Sequence, residues 1–248
     1  MAQSDDHYPM ALFPMTGTFI GVGLGPGDPE LLTLKAARLI RTAPVIAYPQ
    51  PENGESFTRS IAAEFIRGDV EEISISLPME ENRFPAQNVY RTAAKKIASR
   101  LDDGINVIAL CQGDPFFYGS FMYLFAHLAD AYKVDIVPGV PSLVGCAAAA
   151  RQPLCARMES LTILPAPMPE EQLYEKLAGG GAMAIVKIGR HMEKIRRILT
   201  TLDLAEKALY CSYASMPHER IMKLQEGPRT APYFSTILLP GRDPYGSR

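Results

Sequence analysis

The sequence predicts an α/β protein in two domains, and three observations carry that prediction. Short apolar, β-prone runs alternate with helix-period segments through residues 17–137. The same alternation restarts after a Pro-Gly-Val-Pro break at 138–141, and glycine/proline loops follow three of the strands at their carboxyl ends. Such alternation builds a mainly parallel sheet covered by helices on both faces. With 248 residues, 47% apolar and 21% charged, the chain has enough material for one or two packed cores.

Taken in order, residues 1–16 read as a short disordered lead-in, acidic where a signal peptide would be basic. Residues 18–24 (TFIGVGL) form the first strand. A helix over 29–42 follows, with Leu31, Leu32, Leu34, Ala37, Leu39 and Ile40 as its apolar positions. Asp28 suits its N-cap and Pro29 its first turn. Strands are predicted at 45–48, 70–76, 106–111 and 133–137, and helices at 57–65, 88–101 and 120–131. These make an N-terminal α/β domain over 17–137. A C-terminal α/β domain over 138–248 has helices at 142–150, 170–177 and 192–201 and strands at 160–164, 182–187, 208–212 and 235–239.

Several function classes are disfavoured by composition. The net charge of −2 provides no global basic field for a nucleic-acid backbone. Lys194, Arg196 and Arg197 on the helix at 192–201 read as a solvated face. Cys111, Cys146, Cys155 and Cys211 lie far apart, without a C-x-x-C pair or a neighbouring His. That pattern predicts reduced thiols in a cytosolic protein and neither a metal site nor a disulfide framework. Cys111 ends an apolar strand and reads as packing, and His191 and His218 read as surface residues. No stretch approaches the roughly 18–20 apolar residues of a membrane span.

The first loop, GVGLGPGDPELLT at 21–33, resembles a nucleotide cradle but lacks the spacing. Counted from Gly21, the third fingerprint glycine is Pro26; counted from Gly23, it is Asp28. The second strand ends in Tyr48-Pro49 with no ribose-binding carboxylate, and no Gly-Lys-Ser/Thr follows the loop. A tight turn and a ligand-proximal loop both remain open. Yet QGDPFFYG at 112–119 and PGVPS at 138–142 fall at the same carboxyl edge, where open α/β sheets bind ligands. Three such loops would floor a cleft with the second domain as its roof.

In this order, GVGLGPGDPELLTLKAARLI, VIAYP, CQGDPFFYGS, VPGVPS and AIVKIGR resemble the tetrapyrrole methylases, and the resemblance covers residues 17–240. It implies the class III methyltransferase fold, with S-adenosylmethionine in the cleft between two α/β domains and S-adenosylhomocysteine as product. AYPQPENGES (47–56) and KIGRH (187–191) are most similar to the members that methylate precorrin-2 at C20 in cobalamin biosynthesis, with cobalt-precorrin-2 as the first alternative substrate and an RNA or protein, as in other relatives of this fold, as the second. Position by position, it implies donor contacts from Pro26, Gln112, Gly113, Asp114, Phe117, Pro141, Ser142, Ile188 and Ala214. Gln112 and Pro141 replace the family's usual glycine or threonine and are carried over as backbone contacts.

Uroporphyrinogen methyltransferases carry an Asp where this chain has Pro49, so no general base is assigned. The implied substrate bears many carboxylates, and Arg59, Arg83, Lys187 and Arg190 are the candidate cations for them. Tyr48 and Tyr118 flank cleft loops and serve either packing or hydrogen bonding. The resemblance further implies a cytoplasmic homodimer acting on a small-molecule tetrapyrrole, without nucleic acid, membrane or bound metal.

Overall fold

The computed structural model describes residues 16–77 and 83–241, and the side chains of 83–87 lie outside that description. Of the predicted lead-in, only residue 16 falls within it. The chain divides into two compact units. The first comprises Met1–Gly23, Leu34–Cys111 and Tyr118–Pro138; the second comprises Leu24–Thr33, Gln112–Phe117 and Gly139–Arg248.

The first unit contains β1 (Phe19–Gly23), α1 (Leu34–Arg41), β2 (Val45–Pro51), α2 (Phe57–Ile61), β3 (Glu71–Leu77), α3 (Arg83–Asp102), β4 (Val107–Cys111), α4 (Phe121–Leu128) and β5 (Val134–Val137). Its sheet has the order β3-β2-β4-β1-β5, with every pair parallel. Central strands β1 and β4 are buried at every residue, as a sheet covered on both faces requires. Edge strand β3 alternates and exposes Glu72, Ser74 and Ser76. Phe19 stacks on Phe121 of α4 at 5.1 Å. A Cβ at Gly21 would lie 2.6 Å from the Phe121 ring, so this first glycine of the loop motif is there for packing. Pro49 and Pro51 fit within β2 because its pairing with β4 ends at Ala47, leaving one neighbour beyond that point.

In the second unit are α5 (Ser142–Ala149), β6 (Leu161–Pro165), α6 (Glu170–Ala178), β7 (Ala182–Val186), α7 (Met192–Thr201), β8 (Leu209–Ser212), β9 (Arg220–Lys223) and β10 (Ser235–Leu239). The sheet order is β6-β7-β10-β8-β9. β6 and β7 run parallel and the remaining pairs antiparallel. One core gathers Leu173, Leu177, Ile185, Ile195, Leu199, Tyr210 and Ile237. A smaller cluster joins Leu143, Cys146, Ala184, Cys211, Ala214 and Leu238, with Phe117 packed against it.

Several elements differ from the sequence expectation, among them the helix predicted over 57–65, which is α2 followed by a separate 3-10 turn, Ala63–Phe65. The helix predicted over 29–42 is a single 3-10 turn, Pro29–Leu31, followed by α1. The Leu32 amide closes back on the Pro29 carbonyl at 3.1 Å, and Leu32 then turns extended, at ψ 140°. Asp28 therefore caps the turn and not α1, and Leu34, expected as a core position, is 92% exposed. Strand β9 has no counterpart among the predicted strands; its four residues, RIMK, form an exposed edge with no apolar run to mark it.

Candidate functional site

Within the second unit, the first and second glycine loops meet through backbone alone. The Gly113 amide donates to the Gly25 carbonyl at 2.7 Å, and the Gly25 amide to the Gly113 carbonyl at 3.2 Å. Both residues lie at positive φ, 76° for Gly25 and 68° for Gly113, where glycine is the unstrained choice. Nothing stands within 4 Å of a Cβ built on Gly113, so open space borders this buried backbone.

Pro26 is buried, and its ring lies against α5, where a Cβ at Gly145 would sit 3.0 Å from Pro26 Cγ. Asp114 ties its own loop to the third one. One carboxylate oxygen accepts from the Phe116 amide at 2.9 Å, and the other from the Gly139 amide at 3.0 Å. Gln112 is half-buried beside it. The third loop leads into α5, with Pro141 as an N-cap that supplies no side-chain bond and Ser142 exposed at the first turn.

Phe117 and Ala214 share the apolar cluster with Leu143 of α5. Ala214 sits between two non-glycine residues at positive φ, Tyr213 at 54° and Ser215 at 66°. Ile188 is fully buried in the larger core, so its side chain is committed to packing and its backbone is what the turn can offer. That turn is sharp, with Lys187 at φ 58° and Gly189 at 40°. Of the positions marked for the methyl donor, Pro26, Gly113, Asp114, Phe117, Pro141, Ser142 and Ala214 are thus joined through the loops, α5 and one cluster. Ile188 belongs to a separate cluster.

The four candidate cations differ in their surroundings. Lys187 and Arg190 are both exposed to solvent. The Arg83 side chain lies outside the described residues. In the first unit, Arg59 forks onto Glu72, with Nε and Nη2 each 2.7 Å from a carboxylate oxygen, and Tyr48 Oη donates to the same carboxylate at 2.6 Å. The Arg59 hydrogen bond holds Glu72 below the usual carboxylate range. Burial, reinforced by Glu72, raises the Tyr48 phenol, so Tyr48 is a committed donor and no base. Burial, with Lys194 and Arg190 nearby, keeps His191 below its ordinary value.

Cys111, Cys146 and Cys211 are buried, and Cys155 is exposed. Cys146 and Cys211 face each other, and the Cys211 thiol reaches the Cys146 carbonyl at 3.9 Å. Its hydrogen bond with Cys146, together with burial, raises Cys211 far above an ordinary thiol, which makes it inert packing. Among the described residues no group of three or more His, Cys, Asp or Glu is arranged to hold a metal. No helix among them is long and apolar enough to cross a membrane.

Sequence reasoning missed two polar residues of this region. Ser215 Oγ accepts from the Asp28 amide at 3.1 Å, and Glu219 accepts from the Ser215 amide at 2.7 Å. Neither has a sequence signature, because both bond to backbone groups.

Residues 18–227 match the family model described as Tetrapyrrole (Corrin/Porphyrin) Methylases. The chain is 39% identical over 234 residues to "Cobalamin biosynthesis protein CobIJ" of Mycobacterium bovis; the match covers 91% of this chain and 46% of that protein, so the chain spans about half the length of this relative. It is 35% identical to "Precorrin-2 C(20)-methyltransferase" of Sinorhizobium sp, covering 91% and 96% of the two chains. It is 28% identical to "Cobalt-precorrin-2 C(20)-methyltransferase" of Salmonella typhimurium, covering 91% and 97%. A solved cobalt precorrin-4 methyltransferase, CbiF, shares the fold at TM-score 0.70 and 22% identity, over 90% of this chain and 94% of that one. A uroporphyrin-III C-methyl transferase from Thermus thermophilus, solved with S-adenosyl homocysteine, shares it at TM-score 0.62 and 23% identity, over 90% and 92%.

Proposed function

Since the chain belongs to the tetrapyrrole methylase family, we propose that it transfers the methyl group of S-adenosylmethionine to C20 of precorrin-2, giving precorrin-3A and S-adenosylhomocysteine in cobalamin biosynthesis. The observation that carries this reading is the convergence of Gly113, Pro26, Phe117, Ser142 and Ala214 through one set of loops and one cluster. The relatives named for C20 methylation of precorrin-2 and of cobalt-precorrin-2 support the substrate class. Cytoplasmic location and homodimerisation belong to the same reading and rest on the family resemblance.

The residues present suit the donor. The space beside Gly113 lets a ligand approach backbone where any side chain would intrude. Phe117, Leu143 and Ala214 offer an apolar wall, while Pro141 and Ser142 present the uncapped start of α5 and Ile188 its backbone. Asp114 acts by fixing two loops, since both carboxylate oxygens bond to amides.

S-adenosylmethionine supplies an electrophilic methyl on a sulfonium. The protein's part is to hold the electron-rich meso carbon in line with it and exclude water, an effect worth up to about 7–11 kcal/mol in favourable cases. Lys187 and Arg190 reach solvent and are the cations offered to substrate carboxylates. Arg59 keeps its remaining N–H donors for the same purpose while Glu72 orients it. Pro49 provides no base, so water or a weak base removes the C20 proton after transfer.

Incubating the purified chain with S-adenosylmethionine and either precorrin-2 or cobalt-precorrin-2, followed by NMR of the product, tests the proposal. A trimethylated product bearing its new methyl at C20 is expected. Methylation at another carbon, or none with either substrate, overturns it.

A further inference from the structure

We infer that Glu219 is a positioning residue for the methyl-donor site, acting through Ser215 on the glycine-rich loop; the inference rests on the reading that S-adenosylmethionine binds beside that loop. Residues 213–219, YASMPHE, leave β8 in a tight turn. The Met216 amide bonds to the Tyr213 carbonyl at 3.0 Å, and the Glu219 amide to the Met216 carbonyl at 3.0 Å. Tyr213 and Ser215 both adopt left-handed backbone conformations on either side of Ala214. Non-glycine residues hold such conformations only when their surroundings fix them.

Three contacts supply that fixation. The Tyr213 ring packs on His218 at 4.1 Å, and its amide donates to the Phe234 carbonyl at 2.9 Å. The Glu219 carboxylate accepts the Ser215 amide at 2.7 Å, a charge-assisted bond of the stronger kind. Held this way, Ser215 turns its hydroxyl oxygen to the Asp28 amide at 3.1 Å, 187 positions away in sequence.

Asp28 in turn caps the Pro29–Leu31 turn through its side chain. Beside this chain of bonds, Met216 fills the place a Cβ on Gly27 would need, 2.6 Å from its Cγ. One exposed carboxylate therefore fixes Ser215 on one side of Ala214 and, through the Ser215 hydroxyl, anchors Asp28, two residues from Pro26. Glu219 touches neither donor nor substrate in this scheme. Its effect is to keep Ala214 and Pro26 where the donor meets them.

The test uses the full chain and three variants, Glu219→Ala, Glu219→Gln and Ser215→Ala, each checked by circular dichroism. Hydrogen exchange of segments 24–33 and 213–219 is measured without ligand, and S-adenosylhomocysteine binding by calorimetry. Glu219→Ala should speed exchange in both segments and weaken S-adenosylhomocysteine about tenfold, the scale of one lost charged hydrogen bond. It should raise KM for S-adenosylmethionine while kcat stays within about twofold, as loss of uniform binding does. Glu219→Gln retains an acceptor for Ser215 and should restore both readouts. Ser215→Ala should speed exchange at 24–33 and weaken binding without disturbing Glu219. Unchanged affinity in Glu219→Ala, whether or not exchange rises, overturns the inference. Failure of the unmutated chain to bind S-adenosylhomocysteine would instead bring down the donor reading itself, before any variant is compared.

Discussion

Gly25 and Gly113 are each other's hydrogen-bond donor and acceptor, an isolated two-residue bridge joining two loops far apart in sequence, with both partners in left-handed backbone conformations. No side chain takes part, so the contact depends on conformations that only glycine adopts without strain. The open space beside Gly113 makes this position separable into a backbone component and a ligand component.

Replacing Gly113 should show the two in opposite orders. Gly113→Ala meets no atom within 4 Å and pays only for the left-handed backbone, about 1–2 kcal/mol. Gly113→Asn tolerates that conformation better and should melt at a higher temperature than the alanine variant. The larger asparagine fills the open space and should bind S-adenosylhomocysteine more weakly than alanine does. Thermal melts and calorimetry on both variants check the reversal; matching orders would mean the space beside Gly113 holds no donor.

Gly21 is a contrasting case in the same glycine-rich stretch. It lies in β1, and an added methyl meets the Phe121 ring at 2.6–2.9 Å. Gly21→Ala should lose about 1–3 kcal/mol in urea melts through overpacking. Its affinity for S-adenosylhomocysteine should stay within about twofold, because the methyl enters the core of the first unit and not the donor loops.

The Tyr48–Glu72–Arg59 network predicts a pH dependence. Glu72 is held below its ordinary value of 4.5 in the folded chain, chiefly by Arg59. The folded state thus binds that proton less readily than the unfolded one, and stability rises with pH across this range. The contribution is complete above about pH 4.5 and disappears as pH falls through the lower folded value. Glu72→Gln should melt below the unmutated chain at about pH 6, and the gap should narrow as pH falls below Glu72's ordinary value of 4.5. A gap independent of pH would show that the carboxylate's charge contributes nothing.

The alternation of strands and helices is legible because each element buries its own face and writes a period into the chain. β1, β4 and β7 read as continuous apolar runs for that reason. β9 buries little and leaves no such mark. The helix expected from residue 29 is broken because Leu31, Leu32 and Leu34 fit its period without packing as a helix face. At the site, Gly25 and Gly113 lie at positive φ, and the 138–141 break is marked by its proline and glycine composition, so all three loops are visible. Ser215 and Glu219 are not, since a hydroxyl or carboxylate that accepts from a backbone amide leaves no spacing rule behind.

The distribution of thiols gives each unit its own reporter. A native chain offers one fast-reacting sulfhydryl, Cys155, while Cys111 is enclosed in the first unit and Cys146 and Cys211 in the second. Alkylation pulses during slow denaturation therefore time-stamp the two halves independently. The order in which Cys111 and the Cys146–Cys211 pair acquire label tells which half opens first.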